Sequence, residues 1–176
     1  MHSEGNKHRH ETVRLIHTSS SREEGAMAIV TRYVLYSTGA GIIPVPIVDA
    51  VLVSAVQLKM IAEISKFYKI EFQDNLGKSV IAALLGGVVG DGVGNGLVKS
   101  ALSFIPVVGP VLGGVGMAVT SGAVTYALGR VFIHHYEAGG TLLTFNPDQF
   151  REQFRDQVKR QLKRGKHIVK KIKTKK

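Results

Sequence analysis

Histidine and carboxylate side chains are the candidates for chemistry in this sequence, which contains no cysteine. His8 and His10 are separated by one residue, but no set of carboxylates accompanies them to complete a metal site. His134 and His135 are adjacent and would point about 100° apart on a helix, so we expect one of them to pack or cap. We predict no metal site, and the absence of cysteine excludes thiolate ligands and disulfide bonds.

The motifs of the common enzyme classes are missing. The sequence contains no G-x-S-x-G nucleophile motif, no H-E-x-x-H zinc motif and no Walker lysine motif. GGVVGDGVGNG (86–96) is similar to a dinucleotide-binding loop only in its glycines, because no strand pattern precedes it. We therefore predict a protein that is not an enzyme and that binds no cofactor.

The positive charge of the chain is concentrated at its C-terminus. The formal net charge is +10 over 176 residues, and residues 1–150 contain as many acidic as basic residues. All of the excess therefore belongs to residues 151–176. A polycationic segment of this kind favours an anionic membrane surface, a nucleic acid or an acidic protein as its partner.

The spacing of apolar residues predicts an all-α fold, a bundle of glycine-rich helical hairpins. Residues 1–20 are polar and rich in histidine, so we predict a disordered N-terminus. Ser21 and Glu24 have the spacing of a capping box, which predicts a first helix from near Arg22 to about Ser37. Further helices are predicted over 47–70, 74–85 and 111–136, which gives a helical domain at 21–145 and a tail helix at 146–176.

Prolines precede two of the predicted helices. Pro44 and Pro46 stand in an apolar stretch just before the second helix, and proline is tolerated in a first turn because its missing N–H needs no partner there. Asp49 would then lie in the first turn, where the helix dipole favours an anion. FIPVVGP (104–110) repeats the pattern before the fourth helix.

The middle of the chain is rich in glycine and poor in charge. Glycines 86, 90 and 94 are four residues apart, a spacing that permits close contact between helices. Residues 100–129 contain no formally charged side chain. A buried hairpin, a partly inserted segment and a weak transmembrane helix all remain open for this stretch.

The tail has the pattern of a basic amphipathic helix. Phe150, Phe154, Val158 and Leu162 follow at four-residue steps, and basic residues occupy most of the remaining surface. The residues that we predict to contact anionic lipid or another polyanion are Arg151, Arg155, Lys159, Arg160, Lys163, Arg164, Lys166, Lys170, Lys171 and Lys173.

Two separated motifs resemble a known family. AGIIPVPIVDAVLVSAVQLKMIAEISKFYKIEF (40–72) is similar to the first motif of the GTPase-associated domain of unknown function, and AVTYALGRVFIHHYEAGGTL (123–142) is similar to the second. This domain occurs in YcjF-type bacterial inner-membrane proteins and is also fused behind Era-like or dynamin-like GTPase domains. The matching positions that we expect to contact a partner are Pro44, Pro46, Asp49, Gln57, Pro106, Gly109, Arg130, His135 and Glu137.

The resemblance implies a helical, membrane-associated module that works beside a GTPase, and it implies no catalytic residues. No GTPase domain lies in this chain, so the GTPase would be a separate polypeptide. Inside the apolar body we expect Asp49, Gln57 and His135 either to form a polar cluster or to contact that partner. The polar N-terminus is not a secretory signal, so we expect the cytoplasmic face of a bacterial inner membrane.

Three functional hypotheses follow. The first is a non-enzymatic membrane-associated protein, an accessory to a GTPase, whose tail docks to anionic headgroups. The second is a soluble scaffold that self-assembles through glycine-rich faces and binds nucleic acid or an acidic protein through its tail. The third is a subunit of a pore or transporter, suggested by the uncharged residues 100–129. Homo-oligomers are compatible with all three, and nucleic acid is the less favoured partner because aromatic residues are not interleaved with the basic ones.

Overall fold

Five α-helices account for most of the chain in this computed structural model, which describes residues 4–40, 46–89 and 113–174. Side chains are described for residues 20–38, 54–86, 118–171 and 174. No strand occurs in these ranges, so the predicted all-α class is confirmed. The helices are α1 (Glu4–Ala40), α2 (Pro46–Phe67), α3 (Asp74–Val89), α4 (Gly113–Glu137) and α5 (Pro147–Thr174).

The helix starts agree with the sequence pattern except in α1. The starts of α2, α3 and α4 lie within two residues of their predicted positions. The predicted start of α1 near Arg22 is wrong, because α1 begins at Glu4 and residues 5–20 are helical where the sequence predicts disorder. Ala26 and Val30 anchor the helix by burial, and each further residue then adds a hydrogen bond without a new nucleation cost.

The start of α5 depends on local capping. Pro147 is its first residue, as the sequence predicts. The side-chain Oδ1 of Asn146 accepts a hydrogen bond from the backbone N–H of Asp148 at 3.0 Å. This contact satisfies one of the N–H groups that a helix start leaves without a partner.

α4 is the central helix, and it packs against α1, α2 and α5. α2 runs parallel to α4, because Gln57 contacts Thr125 and, further along both helices, Ser65 contacts Tyr136. The α2–α3 hairpin then turns back, with α3 packed on α2 and α5.

α1 and α5 run antiparallel to α4. On α1, Val34 lies beside Gly122 of α4, whereas the earlier residue Val30 lies beside Gly129. The same reversal places Gly165 of α5 against Val119 of α4. The bundle thus has one end at the start of α4 and the other at its C-terminus.

The core lies along α4 and is aliphatic and aromatic. Phe132 stacks on Phe145 of the following loop, with ring centroids 4.5 Å apart. Phe154 of α5 is fully buried, in agreement with its predicted place on the apolar face of the tail helix. The other large side chains that are completely buried include Met60, Ile61, Ile64, Leu84, Leu128 and Val131.

α1 and α4 approach each other closely at Gly129. A methyl group added to Gly129 would lie 2.5 Å from Cγ2 of Val30, well inside van der Waals contact. Only glycine therefore fits at this crossing without movement of one helix.

We predict that Gly129→Ala lowers the free energy of unfolding by about 1 to 3 kcal/mol, because the added methyl group overpacks the α1–α4 contact. Gly86→Ala is the matched control. Gly86 lies inside α3 with no atom within 4 Å of an added methyl group. There the same change should raise stability by about 0.5 to 1 kcal/mol through helix propensity. Urea denaturation followed by circular dichroism measures both, and equal effects of the two substitutions would contradict the close approach.

Candidate functional site

A buried polar contact joins three helices near the middle of the bundle. Gln57 of α2 donates through Nε2 to Oγ1 of Thr125 on α4, at 3.4 Å. The Thr125 hydroxyl in turn donates to Oγ of Ser37 on α1 at 2.8 Å. All three residues are at most 2% exposed. Because buried polar groups are costly without partners, this chain of hydrogen bonds fixes the relative positions of α1, α2 and α4.

A second polar contact between α2 and α4 lies nearer the C-terminus of α4. The hydroxyls of Ser65 and Tyr136 are 2.8 Å apart and both residues are buried. Burial raises the pKa of Tyr136 to about 12, although its hydrogen bond with Ser65 acts in the opposite direction. The phenol of Tyr136 therefore stays neutral at physiological pH and acts as a hydrogen-bonding core residue.

Tyr68 extends this contact to the predicted motif residue Glu137. The Tyr68 hydroxyl donates to Oε1 of Glu137 at 2.5 Å. Desolvation, followed by the hydrogen bond to the Glu137 carboxylate, holds the pKa of Tyr68 well above its ordinary value. The pair closes the α2–α4 contact where both helices end, since Glu137 is the last residue of α4 and Tyr68 directly follows the last residue of α2.

His135 supports the turn that follows α4. Its Nε2 lies 2.8 Å from the backbone carbonyl oxygen of Thr141, which can only accept, so Nε2 donates. Gly139 has a φ of +82°, the left-handed conformation that ends many helices. The next residue, Gly140, passes so near the His135 ring that an added methyl group would overlap it. His135 is thus a packing and hydrogen-bonding residue of this turn.

Arg130 forms an ion pair across the α1–α4 contact. Its guanidinium donates to Oε1 of Glu23 at 2.5 Å, and both side chains are partly exposed. A second pair, Arg32 with Glu63, joins α1 to α2 at the surface. Exposed pairs of this kind contribute less than about 1 kcal/mol, so they adjust the helix contacts without determining them.

The outer face of α5 carries the exposed positive charge, and we call it the cationic face. From Gln157 to Thr174 the helix contains eight lysine and arginine residues and no acidic residue. A groove of about 550 Å³ follows this face. Among the described residues, Arg160, Lys163, Arg164, Lys166, His167 and Lys170 line the groove.

The first turns of α5 are different, because acidic residues there offset the basic ones. Arg151 donates to Oδ1 of Asp148 at 2.6 Å and is half-buried. Arg155 is half-buried and also takes part in an interaction. These two predicted contact residues therefore differ from the seven basic residues that are exposed further along α5, which are Lys159, Arg160, Lys163, Arg164, Lys166, Lys170 and Lys171.

The predicted cluster of Asp49, Gln57 and His135 does not form as a unit. Gln57 pairs with Thr125, whereas His135 lies ten residues further along α4, about 15 Å away along the helix axis. Asp49 is the fourth residue of α2, as expected, but its side chain lies outside the described residues. Pro46 is the first residue of α2. Pro44, Pro106, Gly109 and the side chain of Lys173 also lie outside the described residues.

The hydrogen-bonding residues that were not among the predicted site residues include Ser37, Ser65, Tyr68, Thr125 and Tyr136. Ser65 and Tyr136 could have been found from spacing, because Ser65 lies eight residues after Gln57 and Tyr136 eleven residues after Thr125. On a helix the interval of eleven residues returns to within about 20° of the same direction, and the interval of eight to within about 80°. Ser37 lies near the C-terminus of α1, and a small polar residue at that position is typical of a helix end. The sequence therefore gave no sign that Ser37 has a partner on α4.

Comparison with known proteins identifies a family whose model spans both motifs. The family model described as "Domain of unknown function (DUF697)" matches residues 9–167. The chain belongs to this family. A curated relative, "Magnetosome membrane protein 22" of Magnetospirillum gryphiswaldense, is 42% identical over 158 residues, which is 90% of this chain and 79% of the relative. No solved structure matches the chain.

Membrane-spanning helices and metal clusters are both missing from the part of the chain that the structure describes. None of the helices, in the parts that the structure describes, is long and apolar enough to cross a bilayer. Among the same residues, no group of three or more histidine and carboxylate side chains could hold a metal ion. Of the uncharged residues 100–129, the structure describes only those from Gly113 onward.

We predict that Thr125→Val destabilises the protein by about 1 to 3 kcal/mol, because it leaves the amide of Gln57 and the hydroxyl of Ser37 buried without their shared partner. Thr31→Val is the control, since it makes the same change at an exposed site of α1 whose hydroxyl bonds only the Met27 carbonyl. Its effect should stay within about 0.5 kcal/mol. Thermal unfolding of both variants measures the difference, and a neutral Thr125→Val would show that the three-helix contact does not contribute to stability.

Proposed function

We propose that this chain is a non-enzymatic, membrane-associated accessory protein that attaches to anionic lipid headgroups through the cationic face of α5 and works beside a GTPase. Family membership and the curated relative, which is named a membrane protein, support the association with a membrane. Attachment through α5 is inferred from the cationic face of this helix.

The distribution of charge favours attachment through one surface. Seven basic side chains are exposed between Lys159 and Lys171, and no carboxylate interrupts them. In the rest of the chain with described side chains, nine basic residues balance nine acidic residues. Each basic residue near an anionic leaflet contributes about 1 kcal/mol, so the α5 face alone can hold the protein to a charged bilayer.

The positions of the aromatic residues favour lipid over nucleic acid. Phe154 is fully buried, and Phe150 packs against Phe145 with ring centroids 4.9 Å apart. These are the two phenylalanines of α5, and neither lies among the exposed basic residues. Binding to single-stranded nucleic acid usually adds base stacking on exposed aromatic rings to the contacts with phosphates. The cationic face offers phosphate contacts alone, which matches headgroup binding.

We predict that neutralising the cationic face abolishes binding to vesicles that contain anionic lipid. Four substitutions together should lower the partition coefficient by about 10²- to 10³-fold, at about 1 kcal/mol per residue. The test variant is Arg160→Gln, Lys163→Gln, Arg164→Gln and Lys170→Gln. The control removes the same charge from exposed residues of α1, α2 and α3: Arg22→Gln, Lys59→Gln, Lys66→Gln and Lys78→Gln.

Flotation with anionic and with neutral vesicles measures this prediction. The control variant should float with anionic vesicles as the unchanged protein does, and raised salt should weaken both because it screens exposed charges. An unchanged protein that stays in the soluble fraction at low salt would overturn the proposal. Tight, salt-dependent binding to nucleic acid without vesicle binding would favour a soluble scaffold instead.

The GTPase partner is inferred from the similarity to domains that follow GTPases in longer chains. We expect chemical cross-linking in cells that express the protein to join it to a separate polypeptide with a G-x-x-x-x-G-K-[ST] phosphate-binding motif. Mass spectrometry of the cross-linked membrane fraction identifies that partner, at the cytoplasmic face of a bacterial inner membrane. If the cross-linked products contain no GTPase in repeated experiments, this part of the proposal is wrong.

A further inference from the structure

The cationic face of α5 contains a similar pair of side chains twice. Arg160 is followed after three residues by Lys163, and Arg164 is followed after three residues by His167. All four side chains are exposed and all four line the groove. Residues three apart are neighbours on a helix surface, so each arginine has a second hydrogen-bond donor beside it. The second pair lies about 6 Å beyond the first along the helix axis, since four residues separate the two arginines.

The packing of α5 on α4 directs both pairs toward solvent. Gly165 lies so close to α4 that an added methyl group would be 2.4 Å from Cγ1 of Val119. Successive residues of a helix are turned by about 100°, so the four side chains lie about 100° to 160° around α5 from Gly165. The backbone that carries the pairs is therefore held on its inner side, and the pairs are presented on a fixed surface.

The two pairs have no counter-ion among the described side chains. The ion pair within α5 joins Arg151 to Asp148 in the first turns of the helix, and the others join α1 to α2 and α4. Arg160 and Arg164 are like charges four residues apart, an arrangement that destabilises a helix. An anion that binds between them removes this repulsion, so the cationic face gains from a ligand what the chain itself does not provide.

The chemistry of the two pairs suits two phosphate groups at a short fixed separation. A guanidinium can donate two parallel hydrogen bonds to the oxygen atoms of one phosphate, which the ammonium of lysine cannot do. Lipids with one phosphate would fill both pairs only if two separate molecules lost their freedom to move. Two phosphates in one headgroup lose this freedom once, because the second contact is then intramolecular.

We propose that Arg160 with Lys163 and Arg164 with His167 form a site for a lipid headgroup that carries two phosphates. This inference rests on the proposed membrane function and names the class of lipid that the cationic face selects. Each arginine holds one phosphate, with a further hydrogen bond from the Lys163 ammonium or from a ring N–H of His167. The exposed lysines outside the groove add attraction to any anionic surface and do not distinguish between lipids.

Vesicles of two compositions test this inference. One contains cardiolipin, whose headgroup has two phosphates joined through a glycerol, and the other contains phosphatidylglycerol, whose headgroup has one phosphate. Phosphatidylcholine is the remaining lipid, and the number of anionic phosphates is the same in both. Flotation over a range of lipid concentrations gives a partition coefficient for each composition. The unchanged protein should bind the cardiolipin vesicles at least about tenfold more tightly, because the second phosphate is already in place.

Two variants separate recognition of the headgroup from attraction by charge. Arg160→Lys with Arg164→Lys keeps both charges and removes the paired donors, so the preference for cardiolipin should fall to less than about twofold while binding to phosphatidylglycerol remains. The control is Lys159→Gln with Lys171→Gln, two exposed residues that are not among the described residues lining the groove. It should weaken binding to both vesicles by about 30-fold and leave their ratio unchanged. Circular dichroism checks that both variants are folded.

Each outcome decides the inference. Equal binding of the unchanged protein to the two vesicles, or an arginine-to-lysine variant that keeps the preference, overturns the two-phosphate site and leaves the proposed function intact. Binding to neither anionic vesicle rejects the site and the proposed function together. Inorganic pyrophosphate and a single-stranded oligonucleotide, each at the phosphate concentration of the lipid, should leave the protein on cardiolipin vesicles. Release by either would show that the site prefers a dissolved polyanion, and would overturn the inference.

Discussion

The packing of α4 is the constraint on which the rest of the molecule depends. α1, α2 and α5 all lie against it, and α1 comes so close at Gly129 that an added methyl group would meet Val30. One face of α4 also carries the hydroxyl of Thr125, which both donates and accepts a hydrogen bond inside the core. A glycine packed against the Val30 side chain at one level and polar pairing at another leave little freedom in the register of α1 on α4. The two ends of the bundle are fixed as a result.

That fixed register separates the charges. α5 runs antiparallel to α4, so its balanced first turns lie beside the C-terminus of α4 and its cationic turns lie beside the N-terminus. The buried face of α5 is supplied by Phe154 and Val158, which hold it on the bundle. A segment that reads in the sequence as a basic tail is therefore part of the folded body, and its positive charge has a definite direction. Attachment by such a face orients the protein, which a flexible polycation would not do.

Sequence reasoning predicted the helices better than their contacts. Apolar periodicity located α2, α3 and α4, and Asn146 with Pro147 located the start of α5, because these signals are local. The polar N-terminus gave no such signal, so the early start of α1 was missed. The expected contact between Gln57 and His135 is absent for a different reason. Both are polar residues in apolar helices, but the register of α2 on α4 decides which residues they contact. Partners across helices, such as Ser37 and Thr125, depend on that same non-local geometry.

α1 is unbroken for 37 residues, from Glu4 to Ala40. At a rise of 1.5 Å per residue, Glu4 lies about 46 Å along the helix axis from Leu35. Glu23 of this helix pairs with Arg130, and 19 residues of α1 precede Glu23, whereas only seven residues of α4 follow Arg130, so the first turns of α1 project beyond the C-terminus of α4. These turns are therefore a helical surface outside the bundle, which a partner can contact without disturbing the packing of α1 on α4.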